Sequence, residues 1–190
     1  MTFRAPTERC IRWSAWEGFE TGIEHLDIRR ESNGIVVAGI IAGSDEDAGS
    51  YALSYGLAID EAWRVRDAEL SLTSGTRLHL ESDGRGSWRT NGQERPDLKG
   101  CIDIDIQASP LTNTLPIRRL ALDRGQSADI RVAYIRVPSL AVEPAVQRYT
   151  ALEPGSLYRF ESLESGFKAD LPVDREGFVM NYPRLFRRWS

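Results

Sequence analysis

The sequence predicts a mainly β protein, folded as an antiparallel meander, a roll or a barrel. Three observations carry that expectation. Apolar residues recur at every second position along successive short segments, turn dipeptides separate those segments, and helix signals are scarce.

The alternation is clearest over residues 51–60. Tyr51, Leu53, Tyr55, Leu57 and Ile59 share one face, and the small residues Ala52, Ser54, Gly56 and Ala58 share the other. Leu78 and Leu80 repeat the pattern against Arg77, His79 and Glu81, and Ile130, Val132 and Tyr134 form another stripe. Asn33-Gly34, Asp83-Gly84 and Asn91-Gly92 supply the positive φ that tight hairpins need, with looser turns at Gly75, Gly125, Gly155, Gly166 and Gly177. A dozen or more short strands result. One register change is visible: Trp63 and Val65 occupy odd positions, Leu70 and Leu72 even ones, so a strand running through Asp67-Ala68-Glu69 must bulge or break to keep both pairs inside. Ser109 as N-cap and Pro110 as N1 predict a helix of one or two turns that Pro116 stops. Residues 142–149 form a second, weaker helix candidate, interrupted by Pro144.

Composition bounds the function. At 190 residues, 41% hydrophobic and 27% charged, the chain reads as one domain, 1–190, with its core at about 9–188. Net charge is −4 and the basic residues are scattered, mostly arginines, so nucleic acid is not expected as a partner. The longest apolar run, GIVVAGIIAG at 34–43, is half the length of a membrane span, so stable membrane insertion is not expected either. The start, MTFRAPTERCIRW, lacks an apolar signal-peptide core, and Cys10 and Cys101 make no disulfide framework; the expectation is a cytoplasmic protein with reduced thiols. Without a Cys/His cluster, no metal or cofactor is expected.

The chemistry-bearing stretch is CIDIDIQASPLTNTLPIRRL, residues 101–120. As a strand, 101–107 puts Ile102, Ile104 and Ile106 on one face and Asp103 and Asp105 on the other, roughly 6–7 Å apart. Paired carboxylates at such spacing run glycoside hydrolysis, and clustered oxygens hold hard cations. Neighbours on one flat strand cannot flank a scissile bond, however, and no motif supplies further ligands. An arginine-paired or solvated polar face is the better reading. If 117–122 is a strand, Arg118 and Arg119 point to opposite faces. One of them is then internal, with Asp103 or Asp105 as partner and Asn113 and Thr114 supplying further bonds. His25 and His79 sit in no nucleophile motif. The aromatic residues, among them Trp63, Trp88 and Tyr149, read as core filling or as the lining of an apolar pocket with a polar mouth.

DGRGSW (83–88), GCIDIDI (100–106), SPLTNTLPIRRL (109–120), VPSL (137–140), QRYTAL (147–152) and GFKADLPVDREGFVMNYPRLFRR (166–188) follow in order. Together they resemble the bacterial and archaeal glycolipid-binding family, long described as a domain of unknown function, from Arg12 to Arg188. The resemblance implies a spiral β-roll: one long antiparallel sheet of about fifteen strands wrapped round one helix. It also implies a non-catalytic protein that holds a glycolipid or other amphiphile in the roll. Asp103, Asp105, Asn113, Arg118, Arg119, Tyr149, Trp63 and Trp88 are then the candidate ligand-binding residues, and no catalytic residue is carried over. The alternatives are an enzyme acting on a sugar or lipid conjugate through Asp103 and Asp105, and a protein-interaction module using an exposed sheet edge.

Overall fold

The computed structural model describes residues 3–16 and 22–189. A ten-stranded antiparallel sheet takes eight of its strands from the first half of the chain. It contains β1 (Arg9–Ala15), β2 (Gly22–Glu31), β3 (Gly34–Asp45), β4 (Gly49–Asp60), β5 (Val65–Leu72), β6 (Arg77–Ser82), β7 (Trp88–Thr90) and β8 (Gln93–Glu94). From β2 to β8 the strands pair in chain order because each is joined to the next by a short connection; at Asn91-Gly92 the φ angles of 49° and 80° are those of a primed hairpin turn. The bulge expected in β5 is present: Ala58 pairs with Asp67 but Ile59 pairs with Val65, leaving Arg66 as the extra residue. Val65, Ala68, Leu70 and Leu72 are thereby all buried.

The second sheet has five strands, ordered β13–β12–β11–β10–β9, and curls into a half-barrel. They are β9 (Asp103–Ile106), β10 (Ser127–Ile135), β11 (Val142–Glu153), β12 (Leu157–Ser162) and β13 (Lys168–Pro172). The chain then returns to the large sheet, where β14 (Asn181–Tyr182) and β15 (Phe186–Arg188) add to the free edge of β1. The mainly β architecture with fifteen strands and one α-helix among the described residues agrees with the expectation. The ladder is divided between two sheets rather than continuous, and β9 pairs with β10 in parallel. The intervening α1 (Leu111–Leu120) supplies the crossover that a parallel pair requires.

Three local expectations are corrected. The helix does not stop at Pro116 but runs through it to Leu120, ending on Ala121 in the left-handed conformation, so 117–122 is not a strand. Proline inside a helix costs about 3 kcal/mol. Here Leu111, Leu115 and Ile117 are fully buried, each worth about 1.5–3 kcal/mol, and this outweighs the loss. Pro110 rather than Ser109 occupies the N-cap, with Ser109 Oγ accepting from the Leu111 amide at 3.2 Å. Residues 142–149 are not helical but form most of β11, where Pro144 sits within a paired strand.

The inner face of the large sheet packs against Ile104, Ile106, Ala133 and Ile135 on one face of the half-barrel, forming the main core. The small residues Ala52 and Ala58 lie on the opposite, outward face of β4 and do not enlarge an internal space. A second apolar cluster, including Tyr149, Tyr158, Phe160 and Leu171, lies on the concave side of the half-barrel. α1 joins the two, sending Leu111 and Leu115 into the first and Ile117 into the second.

Candidate ligand-binding site

Period-two geometry sets the site. On β9, Asp103 and Asp105 point away from the isoleucine face, toward the concave side of the half-barrel where α1 lies. Asp103 is 0% exposed and is held by Arg119 in a two-bond clasp, Nε to Oδ1 at 3.0 Å and Nη2 to Oδ2 at 2.5 Å. Burial pushes its carboxyl above the usual range and Arg119 works against that shift. This pair fastens the end of α1 to the sheet.

Asp105, two residues on, is paired with no cation among the described residues. Its Oδ1 accepts from Thr112 Oγ1 at 3.0 Å and its Oδ2 from Gln147 Nε2 at 2.6 Å. Burial raises its pKa, opposed by these two hydrogen bonds. Asn113 Nδ2 donates to the hydroxyl of Tyr149 at 2.8 Å, which lies 3.5 Å from Gln147 Oε1, so Asp105, Gln147, Tyr149 and Asn113 make one polar chain.

α1 covers only part of the concave face. Beyond it opens a cleft of ≈ 470 Å³, floored by Asp105, Ser109, Asn113 and Gln147. Along one side Asp105, Tyr134 and Glu143 stand in register on three adjacent strands, roughly 4.8 Å apart in backbone spacing. Burial first, and then the Asp105 charge, push the Tyr134 hydroxyl up to about 12 and the Tyr182 hydroxyl well above its ordinary value. The opposite wall is aromatic: Phe160 meets Tyr182 at 6.1 Å and Phe167 at 6.3 Å between ring centroids, and Tyr182 meets Phe186 at 6.3 Å. Arg136 on the rim is committed to Glu143.

Of the residues singled out in the sequence, the structure brings Asp105 and Asn113 to the cleft and buries Tyr149 behind them, hydrogen-bonded to Asn113. It places Asp103 and Arg119 just behind, as a structural clasp. Arg118 leaves in another direction. Its guanidinium lies 4.0 Å above the Trp63 ring and 5.2 Å from Phe3, with Nη1 donating to the carbonyls of Arg4 and Glu176. Burial lowers its pKa to about 10. Trp63 therefore supports Arg118 away from the cleft. Trp88 is remote as well, donating from Nε1 to the Cys101 carbonyl at 2.6 Å beside a separate surface groove.

Sequence reasoning missed Gln147, Thr112 and Tyr134. Glu143, Ala145, Gln147 and Tyr149 share one strand face, a period-two signal hidden by reading the segment as a helix. Glu24 was also missed. It is 1% exposed on the inner face of β2, its Oε1 accepting from Tyr55 Oη at 2.5 Å and Ser109 Oγ at 2.6 Å. Gly39 allows this, since a Cβ there would lie 2.2 Å from the Tyr55 ring. Burial pushes Glu24 up to about 7. On the outer face of β5 and β6, Asp67, Glu69 and His79 bring ligand-type atoms within 4.8 Å of one another. His79 Nε2 is 2.7 Å from Asp67 Oδ2, a cross-strand pair that raises the histidine's pKa.

Comparison with known proteins agrees with this architecture. The model of the family described as "Putative glycolipid-binding" matches residues 10–188. A crystal structure of a DUF1089 family protein from Pseudomonas aeruginosa is 40% identical, with a TM-score of 0.81, over 98% of this chain and 100% of that one. No curated protein matches the chain. Among the described residues, no helix is long and apolar enough to cross a membrane.

Proposed function

The chain belongs to the glycolipid-binding family, and from that premise we propose that it binds a glycolipid through a neutral sugar head group seated in the half-barrel cleft. The observation that carries this reading is that α1 fills only part of the concave face, leaving an open cleft with a hydrogen-bonding floor and an aromatic wall. Asp105 accepts hydroxyl donors, and the amides of Asn113 and Gln147 both donate and accept. The faces of Phe160 and Tyr182 suit the apolar side of a sugar ring.

Charge selects the head group. Asp105, Glu143 and Glu164 border the cleft and Arg136, paired with Glu143, is the cation among its lining residues. A phosphate placed there would face net negative charge, whereas a hydroxyl would find acceptors. Titration calorimetry with octyl glucoside and octyl phosphate tests this. The glucoside is expected to bind and the phosphate not to. Replacing Asp105→Asn should weaken the glucoside about tenfold or more, as loss of a charge-assisted bond is worth about 1.5–3 kcal/mol. Preferential binding of the phosphate would overturn the proposal.

A further inference from the structure

A second cleft, of ≈ 210 Å³, adjoins the first and shares Gln107, Leu185 and Phe186 with it. Its remaining polar groups come from the β3–β4 hairpin: Ser44, Asp45 and Tyr51. Local bonds hold these side chains while leaving part of each open. Asp45 Oδ1 accepts from the amides of Asp47 and Ala48 at 3.1 and 2.9 Å, and Gln107 Oε1 accepts from the Val137 amide at 3.0 Å. Asp45 Oδ2, Gln107 Nε2 and the hydroxyls of Ser44 and Tyr51 have no hydrogen-bond partner among the described residues. Gly43 lets Tyr51 lie across β3, since a Cβ there would be 2.8 Å from the hydroxyl oxygen. Burial first, and then the Asp45 charge, push that hydroxyl above its ordinary value, so it keeps its proton and donates. The two clefts are joined along one strand. Gln107 extends the β9–β10 ladder by one bond, its amide donating to the Ile135 carbonyl at 3.0 Å, and stands roughly 6–7 Å beyond Asp105 on the same face.

We propose that this second cleft is a second sugar subsite, so that the head group the protein prefers is a disaccharide with its outer ring among Asp45, Tyr51 and Gln107. The inference rests on the reading of the first cleft as a sugar site and deepens it. Asp45 Oδ2 accepts from a ring hydroxyl, Gln107 Nε2 donates, and the hydroxyls of Ser44 and Tyr51 do either. Phe186, common to both clefts, offers its ring to the apolar side of a pyranose. An alkyl chain in this space would strand the four open polar groups. A phosphate would meet the Asp45 carboxylate with no lysine or arginine lining the cleft to offset it. A neutral polyhydroxylated ring satisfies the whole set.

The test is calorimetry with octyl glucoside against octyl maltoside, octyl lactoside and octyl gentiobioside, each below its micelle concentration. The alkyl chain is constant, and the three disaccharides present the outer ring through different linkages. At least one of them is expected to bind about tenfold or more tightly than the glucoside, from one hydrogen bond to a carboxylate and one or two neutral ones. Tyr51→Phe, which removes only the hydroxyl, and Asp45→Asn, which keeps an oxygen for the turn, should each bring the ratio of the two affinities toward one. Asp105→Asn should weaken both glycosides alike, because the inner ring is common to them. A thermal melt of each variant checks folding. If the glucoside binds and no disaccharide binds more tightly, or if folded Tyr51→Phe and Asp45→Asn both keep the wild-type ratio, the second subsite is refuted while the first stands. If no glycoside binds, both fall together.

Discussion

At the scale of single residues, Glu24 is the most demanding group in the molecule. One carboxyl oxygen accepts two hydroxyl donors and the other, buried, has no hydrogen-bond partner among the described residues. Its folded pKa of about 7 stands above its ordinary 4.5 because desolvation disfavours the charge more than Tyr55 and Ser109 favour it. Between those values the folded chain holds a proton that the unfolded chain releases, so stability falls as pH rises through that window. The stability contributed by this proton is complete below about 4.5 and lost above about 7. Urea unfolding of wild type and Glu24→Gln at pH 5 and pH 8 should show wild type losing roughly 3 kcal/mol more than the variant over that interval. Equal slopes would contradict the burial of an uncompensated carboxyl. The signal was present in the sequence, since Glu24 interrupts the period-two stripe it forms with Leu26 and Ile28 on β2. What the sequence lacked was the partner: Ser109 is 85 positions away.

At the scale of elements, α1 decides where the cleft is. It is fixed at one end by Ser109 on Glu24 and at the other by Arg119 on Asp103, with Asn113 on Tyr149 between. Arg119 is 18% exposed and Asp103 sealed, so Asp103→Asn leaves a largely buried guanidinium without its counter-charge. Loss of about 3–5 kcal/mol of stability is expected, seen as a fall of the melting temperature on the order of 10 °C. A change below about 1 kcal/mol would mean that the clasp is not what holds the helix. The acid–arginine pairing was legible in CIDIDIQASPLTNTLPIRRL, because a buried arginine needs a carboxylate. Its geometry was not: Pro116 argued for a helix that ends early, and only burial against two cores explains why it continues. For the same reason Arg118 and Arg119 part company around a helix rather than across a strand. Pro144 misled in the opposite direction, suggesting a broken helix where strand pairing on both sides of β11 prevails.

At the scale of the whole molecule, the strands were legible because alternation and turn residues are local properties, and an irregularity between Val65 and Leu70 followed from parity alone, though its place at Arg66 did not. The division into two sheets and the parallel β9–β10 pair depend on contacts across the helix, which no local pattern encodes. The candidate site was half legible for that reason. Asp105 and Asn113 meet in the cleft with Tyr149 buried behind Asn113, whereas Trp63 and Trp88 serve distant parts of the fold. The central claim is that the half-barrel, incompletely filled by its helix, holds a neutral glycolipid. The most direct measurement is native mass spectrometry of the protein after incubation with a mixed bacterial lipid extract, followed by organic extraction and analysis of what leaves with it. The account predicts a one-to-one adduct that releases a lipid with an uncharged sugar head group and that Asp105→Asn largely loses. A bare protein mass, or an adduct carrying a phosphate head group, would contradict it.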